Sequence, residues 1–236
     1  MLQVCLNGAR SRAECPHLPL TAAELAVAAR EAVAAGAEDV HLHPKDRDGR
    51  DTLEAAAVAA AVSAVRAAVP GVPVGVTTGA WATPDPRARA AQVRSWTVVP
   101  DHASVNWHED GAAEVAAALL ERGIGIEAGI YSGTSAAQRF VNWPGSGRVL
   151  RVLAEITESA PQDALHAAAA LLEELEPAAR PILLHGEATA AWPVLRLAAS
   201  RRLDARIGLE DVLHLPDGAP APDNAALVRA ARQIIG

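Results

Sequence analysis

The chain has 236 residues, of which 50% are hydrophobic and 3% aromatic, and its formal net charge is −7. This length and apolar fraction exclude a disordered chain and allow one large core, which alanine, valine and leucine must build because only one Phe and one Tyr are present. The scattered basic residues offer no positively charged stripe of the kind that nucleic-acid binding requires. We therefore expect no nucleic-acid partner.

The two cysteines and the start of the chain indicate a cellular compartment. Cys5 and Cys15 match neither a disulfide framework nor a thiolate metal site, so both are expected to be reduced. The N-terminus lacks a basic region followed by an apolar stretch, and the alanine-rich segment 53–69 carries Glu54 and Arg66 on an amphipathic pattern. We expect a cytoplasmic protein without a signal peptide or a membrane span.

Short apolar runs alternate with alanine-rich helical segments along the whole chain. This rhythm is typical of repeated βα units around a parallel sheet and predicts an α/β fold, a single (β/α)8 TIM barrel forming one domain over residues 1–236. A doubly wound open sheet is the rival, but it would favour a glycine-rich turn after the first strand, and Asn7-Gly8-Ala9 is a poor one. The predicted strands cover residues 2–6, 39–43, 72–77, 103–107, 123–129, 148–156, 181–185 and 205–209.

Helix-start signals support this division. Thr21 and Glu24 have the spacing of a capping box, and Thr52 is predicted to cap the second helix. Pro193 suits the first turn of the seventh helix, because a proline there loses no helical hydrogen bond. Asp223 is predicted to cap the last helix.

Two histidines separated by one residue end the second predicted strand. The period of two in a strand sends His41 and His43 to the same side, while Leu42 points the other way. In a barrel, the C-terminal ends of the strands form the face on which active sites are built. The alternative is a pair of buried histidines that only satisfy backbone groups.

A second polar group, Arg206, Glu210 and Asp211, lies at the end of the eighth predicted strand. These acids could simply complement a helix dipole and pair with the arginine. Combined with the two histidines, however, one carboxylate gives a ligand set that leaves open positions on a divalent metal, as in catalytic sites. The eighth and second strands of a closed barrel lie one strand apart, so one ion could span them.

Several short motifs occur in an order that resembles the β-keto acid cleavage enzyme family, which includes 3-keto-5-aminohexanoate cleavage enzyme. They are NGA, LPLT, HLH followed by Asp48-Gly49, TTG, ASVN, RIGLED and DNAALV. The resemblance covers about 200 residues, with HLH and RxGxED as its most specific parts. It implies a (β/α)8 barrel with Zn²⁺ bound by His41, His43 and Glu210.

The resemblance also implies a reaction and the residues that serve it. The family joins a β-keto acid to acetyl-CoA and releases acetoacetate and a new acyl-CoA. Arg206 and Asp211 would hold the catalytic roles of the family's arginine and aspartate. Thr77 and Ser104 would contact substrate, and Asn106 would either face the substrate or satisfy loop backbone.

The sequence departs from the family pattern after the first strand. Family members often carry a catalytic glutamate where this chain has Arg10, and Glu14 can take that role only if the loop bends differently. Arg10 or Arg206 would steer a small or anionic keto acid into the site.

Other ionisable residues have weaker assignments. His185 and Glu187 would line the pocket, compete for the metal or cap loops, and Glu127 would point at the pocket mouth or pair with an arginine. The other histidines lack a spacing partner and are expected on the surface or in loops: His17, His102, His108, His166 and His214.

Two other classes of function fit the same predicted ligands. One is a zinc hydrolase or aldolase, and the other is a metal-binding barrel without catalysis. The presence of Arg206 and Asp211 favours catalysis, because a structural site has no need of them. Alanine-rich helices with few exposed charges favour a homo-oligomer.

Overall fold

The computed structural model describes all 236 residues and contains a closed barrel of eight parallel strands with a helix after each one. The predicted (β/α)8 TIM barrel is confirmed, and every strand lies within three residues of its predicted bounds. The strands are β1 Leu2–Cys5, β2 Asp39–Leu42, β3 Val74–Thr77, β4 His102–Asn106, β5 Gly125–Tyr131, β6 Arg151–Ile156, β7 Ile182–Gly186 and β8 Asp204–Ile207.

The helices surround the barrel, and three short 3-10 turns at Ser146–Arg148, Glu176–Ala178 and Ala188–Ala190 connect them to the strands. No helix has the length and apolar character needed to cross a membrane. Cys5 and Cys15 are both buried and free. The helices are α1 Ala22–Ala34, α2 Ala55–Ala68, α3 Pro86–Ser95, α4 Ala112–Glu121, α5 Ala136–Val141, α6 Pro161–Leu175, α7 Ala191–Arg201 and α8 Asn224–Ile235.

The structure confirms three of the four predictions about helix starts. Thr21 and Glu24 form the capping box, Asp223 accepts a hydrogen bond from the Ala226 amide at 2.6 Å, and Pro193 lies in the first turn of α7. The prediction for Thr52 is wrong, because α2 starts at Ala55 with Glu54 at the N-cap position.

A short antiparallel bridge explains the later start of α2. Lys45 pairs with Asp51, and the Thr52 amide donates to the Pro44 carbonyl at 3.0 Å. The backbone at Thr52 therefore still belongs to this loop, and its hydroxyl accepts only from the Glu54 amide, at 3.2 Å.

The apolar core lies between the barrel and the helices. Alternate strand side chains face outward, among them Val40 and Leu42 of β2 and Val74 and Val76 of β3. They belong to one cluster of 60 buried hydrophobic residues that includes the inner faces of the helices. This packing fixes the strand ends on which the polar residues stand.

The half of the barrel interior nearer the N-terminal ends of the strands, here called the lower half, contains a charged network. Arg151 donates to Asp39 and to Glu127, each at 2.7 Å, and Gln3 bonds both carboxylates at 2.9 Å. His102 lies between the same two carboxylates, 3.0 Å from each. The expected surface position of His102 is therefore wrong, whereas Glu127 does pair with an arginine.

The position of His102 depends on a glycine on the neighbouring strand. A Cβ atom at Gly75 would lie 2.0 Å from the imidazole, so a side chain there is excluded. Burial disfavours the imidazolium, but the carboxylates of Glu127 and Asp39 outweigh it and raise the pKa of His102 to about 10. His102 is therefore a cation at neutral pH.

Candidate metal centre and active site

His41, His43 and Glu210 meet at the C-terminal face of the barrel. His41 belongs to β2, His43 follows it directly, and Glu210 follows β8, with β1 between the two strands. One donor atom from each side chain lies within 4.8 Å of the others. Nε2 of His43 is 3.6 Å from one carboxylate oxygen of Glu210, and Nε2 of His41 is 3.9 Å from the other.

The protonation states of His41 and Glu210 suit a divalent cation. Burial lowers the pKa of His41 to about 4, so its imidazole is neutral. Burial opposes the ionisation of Glu210, but Arg206 and the two histidines hold its pKa well below the usual range. One buried oxygen of Glu210 has no hydrogen-bond partner. Neutral imidazole and carboxylate are ligands that zinc prefers.

His43 is held differently from His41. Burial opposes its protonation, but the carboxylates of Glu210 and Asp51 raise the pKa of His43 to about 9. A proton and a metal ion compete for the same nitrogen, because histidine must be deprotonated to bind a metal.

The loop after β1 supports Glu210. Gly8 has a φ of +59°, and a Cβ atom there would lie 2.4 Å from Cγ of Glu210. A glycine is therefore required both by the backbone conformation and by the close approach. Nε of Arg10 donates to the Glu210 carbonyl at 3.1 Å, so this predicted substrate-binding residue also holds the backbone of the candidate ligand.

Arg206 and Asp211 form a close pair beside the cluster. The arginine donates twice to Oδ1 of Asp211, at 2.7 and 3.2 Å, and once to Glu210 at 2.9 Å. Burial raises the pKa of Asp211 to about 6, although the charge of Arg206 opposes this shift. Oδ2 of Asp211 is buried without a hydrogen-bond partner, so one basic oxygen is free.

His185 of β7 and Glu155 of β6 lie next to this pair. The two nitrogens of His185 are each 3.8 Å from a carboxylate oxygen, one of Asp211 and one of Glu155, and neither nitrogen has a hydrogen-bond partner. Burial raises the pKa of Glu155 to about 7 and lowers that of His185 to about 3. Glu155 was not predicted as a site residue, although the alternation of Arg151, Leu153 and Glu155 along β6 would have indicated it.

The predicted substrate contacts on β3 and β4 are buried and partly engaged with neighbouring loops. Thr77 accepts a hydrogen bond from the Gly79 amide at 3.1 Å, and the side chain of Asn106 donates to Glu109 at 3.0 Å. Ser104 is 8% exposed, and its carbonyl accepts from a threonine hydroxyl.

Glu14 lies away from the histidines. Its side chain is 51% exposed and accepts hydrogen bonds from the amide and hydroxyl of Ser11, at 3.0 and 3.1 Å. The only link to the cluster runs through Arg10, whose guanidinium is 3.4 Å from Glu14. The loop therefore does not bring Glu14 against His41, His43 or Glu210.

Asp51 and Trp81 also contact the cluster, and neither was predicted as a site residue. Nδ1 of His43 donates to Oδ2 of Asp51 at 2.9 Å, and the indole N–H of Trp81 donates to the same oxygen at 2.6 Å. The indole ring stacks on the His43 ring at a centroid distance of 5.8 Å. An aspartate a few residues after HLH was the available signal for this contact.

The fold and the site together define a class of protein: a (β/α)8 barrel with a candidate metal centre on the face where barrel enzymes carry out their chemistry. The family model described as beta-keto acid cleavage enzyme matches residues 1–236, and the chain belongs to that family. The chain is therefore related to enzymes that act on β-keto acids. No curated protein sequence matches it at a significant level.

Solved structures show the same fold at low sequence identity. ObcA without ligand has a TM-score of 0.73 at 16% identity over 92% of this chain and 61% of that one, and ObcA with oxaloacetate has 0.67 at 17% over 92% and 63%. The chain thus spans about three-fifths of the length of ObcA. The 3-dehydroquinate dehydratase from Aquifex aeolicus VF5 has a TM-score of 0.61 at 13% identity, over 99% and 98% of the two chains.

Proposed function

We propose that the chain is a zinc-dependent enzyme that condenses a small β-keto acid with acetyl-CoA to give acetoacetate and a new acyl-CoA. The observation that carries the proposal is the convergence of His41, His43 and Glu210 beside the Arg206–Asp211 pair, in a member of the β-keto acid cleavage family. The ObcA structure with oxaloacetate, itself a β-keto acid, supports a substrate of this class.

The proposed zinc ligands are His41, His43 and Glu210. Their donor atoms are close enough for one ion, and the buried unpartnered oxygen of Glu210 lacks any other group to satisfy it. When bound, zinc supplies Lewis-acid polarisation of a carbonyl oxygen.

Asp211 is the proposed general base. Arg206 occupies Oδ1 of this carboxylate and leaves Oδ2 free to accept the proton from the carbon between the two carbonyls. A pKa of about 6 is close to neutrality, where a general base is most effective.

Glu14 is too exposed to act as the general base. We assign it an outer role with Arg10, whose charge attracts the carboxylate of an incoming keto acid.

The remaining steps start from the enolate that this proton transfer forms. The enolate carbon forms a bond to the acetyl carbon of acetyl-CoA, and the sulfur of CoA leaves it. The sulfur then bonds to the original keto carbon, and the bond from this carbon to the former enolate carbon breaks. Asp211 returns its proton to the released carbon, which gives acetoacetate, and the other product is the new acyl-CoA.

Metal analysis tests the site. We expect about one zinc per chain in the wild type and a loss of zinc in the double variant His41→Ala, His43→Ala. The matched control replaces two exposed histidines, His166 and His214, and should keep its zinc. Unchanged zinc in the His41, His43 variant would place the metal elsewhere.

Product analysis tests the reaction. The zinc-loaded protein is incubated with a panel of short β-keto acids and isotopically labelled acetyl-CoA, and the products are identified by mass spectrometry. Label in acetoacetate together with a new acyl-CoA supports the proposal. Products that form without acetyl-CoA would indicate a hydrolase or aldolase, and no turnover would indicate a binding protein.

The expected homo-oligomer is a separate prediction, which light scattering of the purified protein tests.

A further inference from the structure

Asp51 receives three donors, two from its own loop after β2 and one from the loop after β3. Its side chain is 6% exposed, and it accepts from His43, from Trp81 and from Nζ of Lys45. Lys45 also donates to the carbonyl of Gly8 at 2.6 Å, in the loop that packs against Glu210. One carboxylate therefore connects the loops after β1, β2 and β3.

Trp81 lies over the imidazole of His43 in a defined arrangement. The two rings are nearly parallel, at 16°, and the indole is 47% exposed. A Cβ atom at Gly79 would lie 2.3 Å from the indole, so a side chain there would displace Trp81. Single exposed aromatic residues are common, but Trp81 also shares a hydrogen-bond acceptor with His43 and stacks on its ring.

His41 has no comparable support. Its Nδ1 is buried without a hydrogen-bond partner and lies 3.9 Å from Glu127. His43, in contrast, gives its Nδ1 hydrogen to Asp51, which leaves Nε2 for the side facing Glu210. In metal sites, a histidine ligand usually donates its second ring N–H to a carboxylate, a backbone carbonyl or water, which fixes the ring and the tautomer.

We propose that Asp51 and Trp81 are positioning residues that hold His43 with Nε2 directed at the metal position, and that Trp81 reports whether this position is occupied. The inference rests on the proposed zinc site and goes beyond it, because it assigns the support of one ligand to two residues that do not bind the ion. Trp81 acts on His43 partly through Asp51, since both donors share one oxygen.

Zinc affinity is the first readout, measured by competition with a chelator. Asp51→Asn keeps the shape and removes the charge, and we expect it to weaken zinc binding about 10–100-fold, as loss of such a partner does in other metal sites. Trp81→Phe keeps an aromatic ring but removes the N–H donor, so we expect a smaller decrease in zinc affinity. The matched control, Asp48→Asn, changes an exposed aspartate of the same loop and should bind like the wild type.

Tryptophan fluorescence is the second readout and does not depend on activity. Co²⁺ bound between His43 and Glu210 should quench Trp81 because the indole stacks on a ligand ring. Trp81→Phe should remove most of the quenching. Trp143→Phe should retain it, because Trp143 packs on Trp107 and does not contact the cluster.

Thermal melting in EDTA identifies any variant that fails to fold. If Asp51→Asn fails to fold, the zinc affinity and the fluorescence of Trp81→Phe still test the inference. Zinc affinities of Asp51→Asn and Trp81→Phe within about twofold of the wild type would overturn it, compared with the 10–100-fold effect expected. The proposed function would survive that result if the His41, His43 double variant still loses zinc. Retention of zinc by the double variant would remove the proposed site and this inference together.

Discussion

The charged network in the lower half of the barrel predicts how stability depends on pH. His102 is held between Asp39 and Glu127, and its pKa is raised to about 10 in the folded protein. In the unfolded chain a histidine has a pKa of about 6.5. The stabilising contribution of His102 is therefore fully present below pH 6.5 and is lost as the pH rises through 10.

The size of the effect follows from the same values. Between the two pKa values His102 holds about one proton more in the folded protein than in the unfolded chain, so its contribution to the free energy of unfolding falls by about 1.4 kcal/mol per pH unit. From pH 7 to pH 9 the loss is about 3 kcal/mol, a large part of the stability of an ordinary domain.

The variant His102→Gln keeps a polar side chain and removes the titrating group. Denaturant unfolding at pH 7, 8 and 9 in EDTA gives the free energy of each variant without a contribution from metal. The matched control is His166→Gln, at an exposed position on α6. We expect the free energies of unfolding of the wild type and the control to fall together as the pH rises. That of His102→Gln should fall less steeply, by about 1.4 kcal/mol per pH unit. Parallel curves for all three proteins would contradict a raised pKa of His102 in the folded state.

Three further predictions concern the site and one helix start. Asp211→Asn should keep zinc but lower turnover on the order of a hundredfold or more, and near-wild-type kinetics would reassign the base. Gly8→Ala should weaken zinc binding in chelator competition because its Cβ would lie 2.4 Å from Glu210, whereas Gly71→Ala, also at positive φ but in open space, should not. Asp223→Ala should lower the free energy of unfolding by about 1 kcal/mol in denaturant titrations, and an unchanged midpoint would contradict this role as an N-cap.

The order of the elements could be predicted because each βα unit has its own local signals. Apolar runs of strand length and capping residues such as Thr21 and Asp223 do not depend on distant partners. The candidate metal centre needed one further step, the closure of the barrel, which brings β8 within one strand of β2. Alternation along a strand then placed His41 and His43 on one side.

The errors arise where a residue depends on partners from several strands or loops. His102 has no sequence neighbour that explains its burial, because its partners Asp39 and Glu127 come from β2 and β5. Asp51 and Trp81 meet only through the paths of two loops. The prediction that Thr52 caps α2 was wrong because a bridge between residues 45 and 51 delays the start of the helix.

The candidate ligands come from the ends of β2 and β8, so they are synthesised at different times. Both histidines leave the ribosome well before Glu210, so a growing chain offers a metal only part of the ligand set until the last strand is made. A bound ion stabilises the state that contains all its ligands, which here is the ring with β8 docked against β1. Metal bound at the proposed site would therefore stabilise the finished barrel, and a chain interrupted before β8 would lack the carboxylate that completes the site.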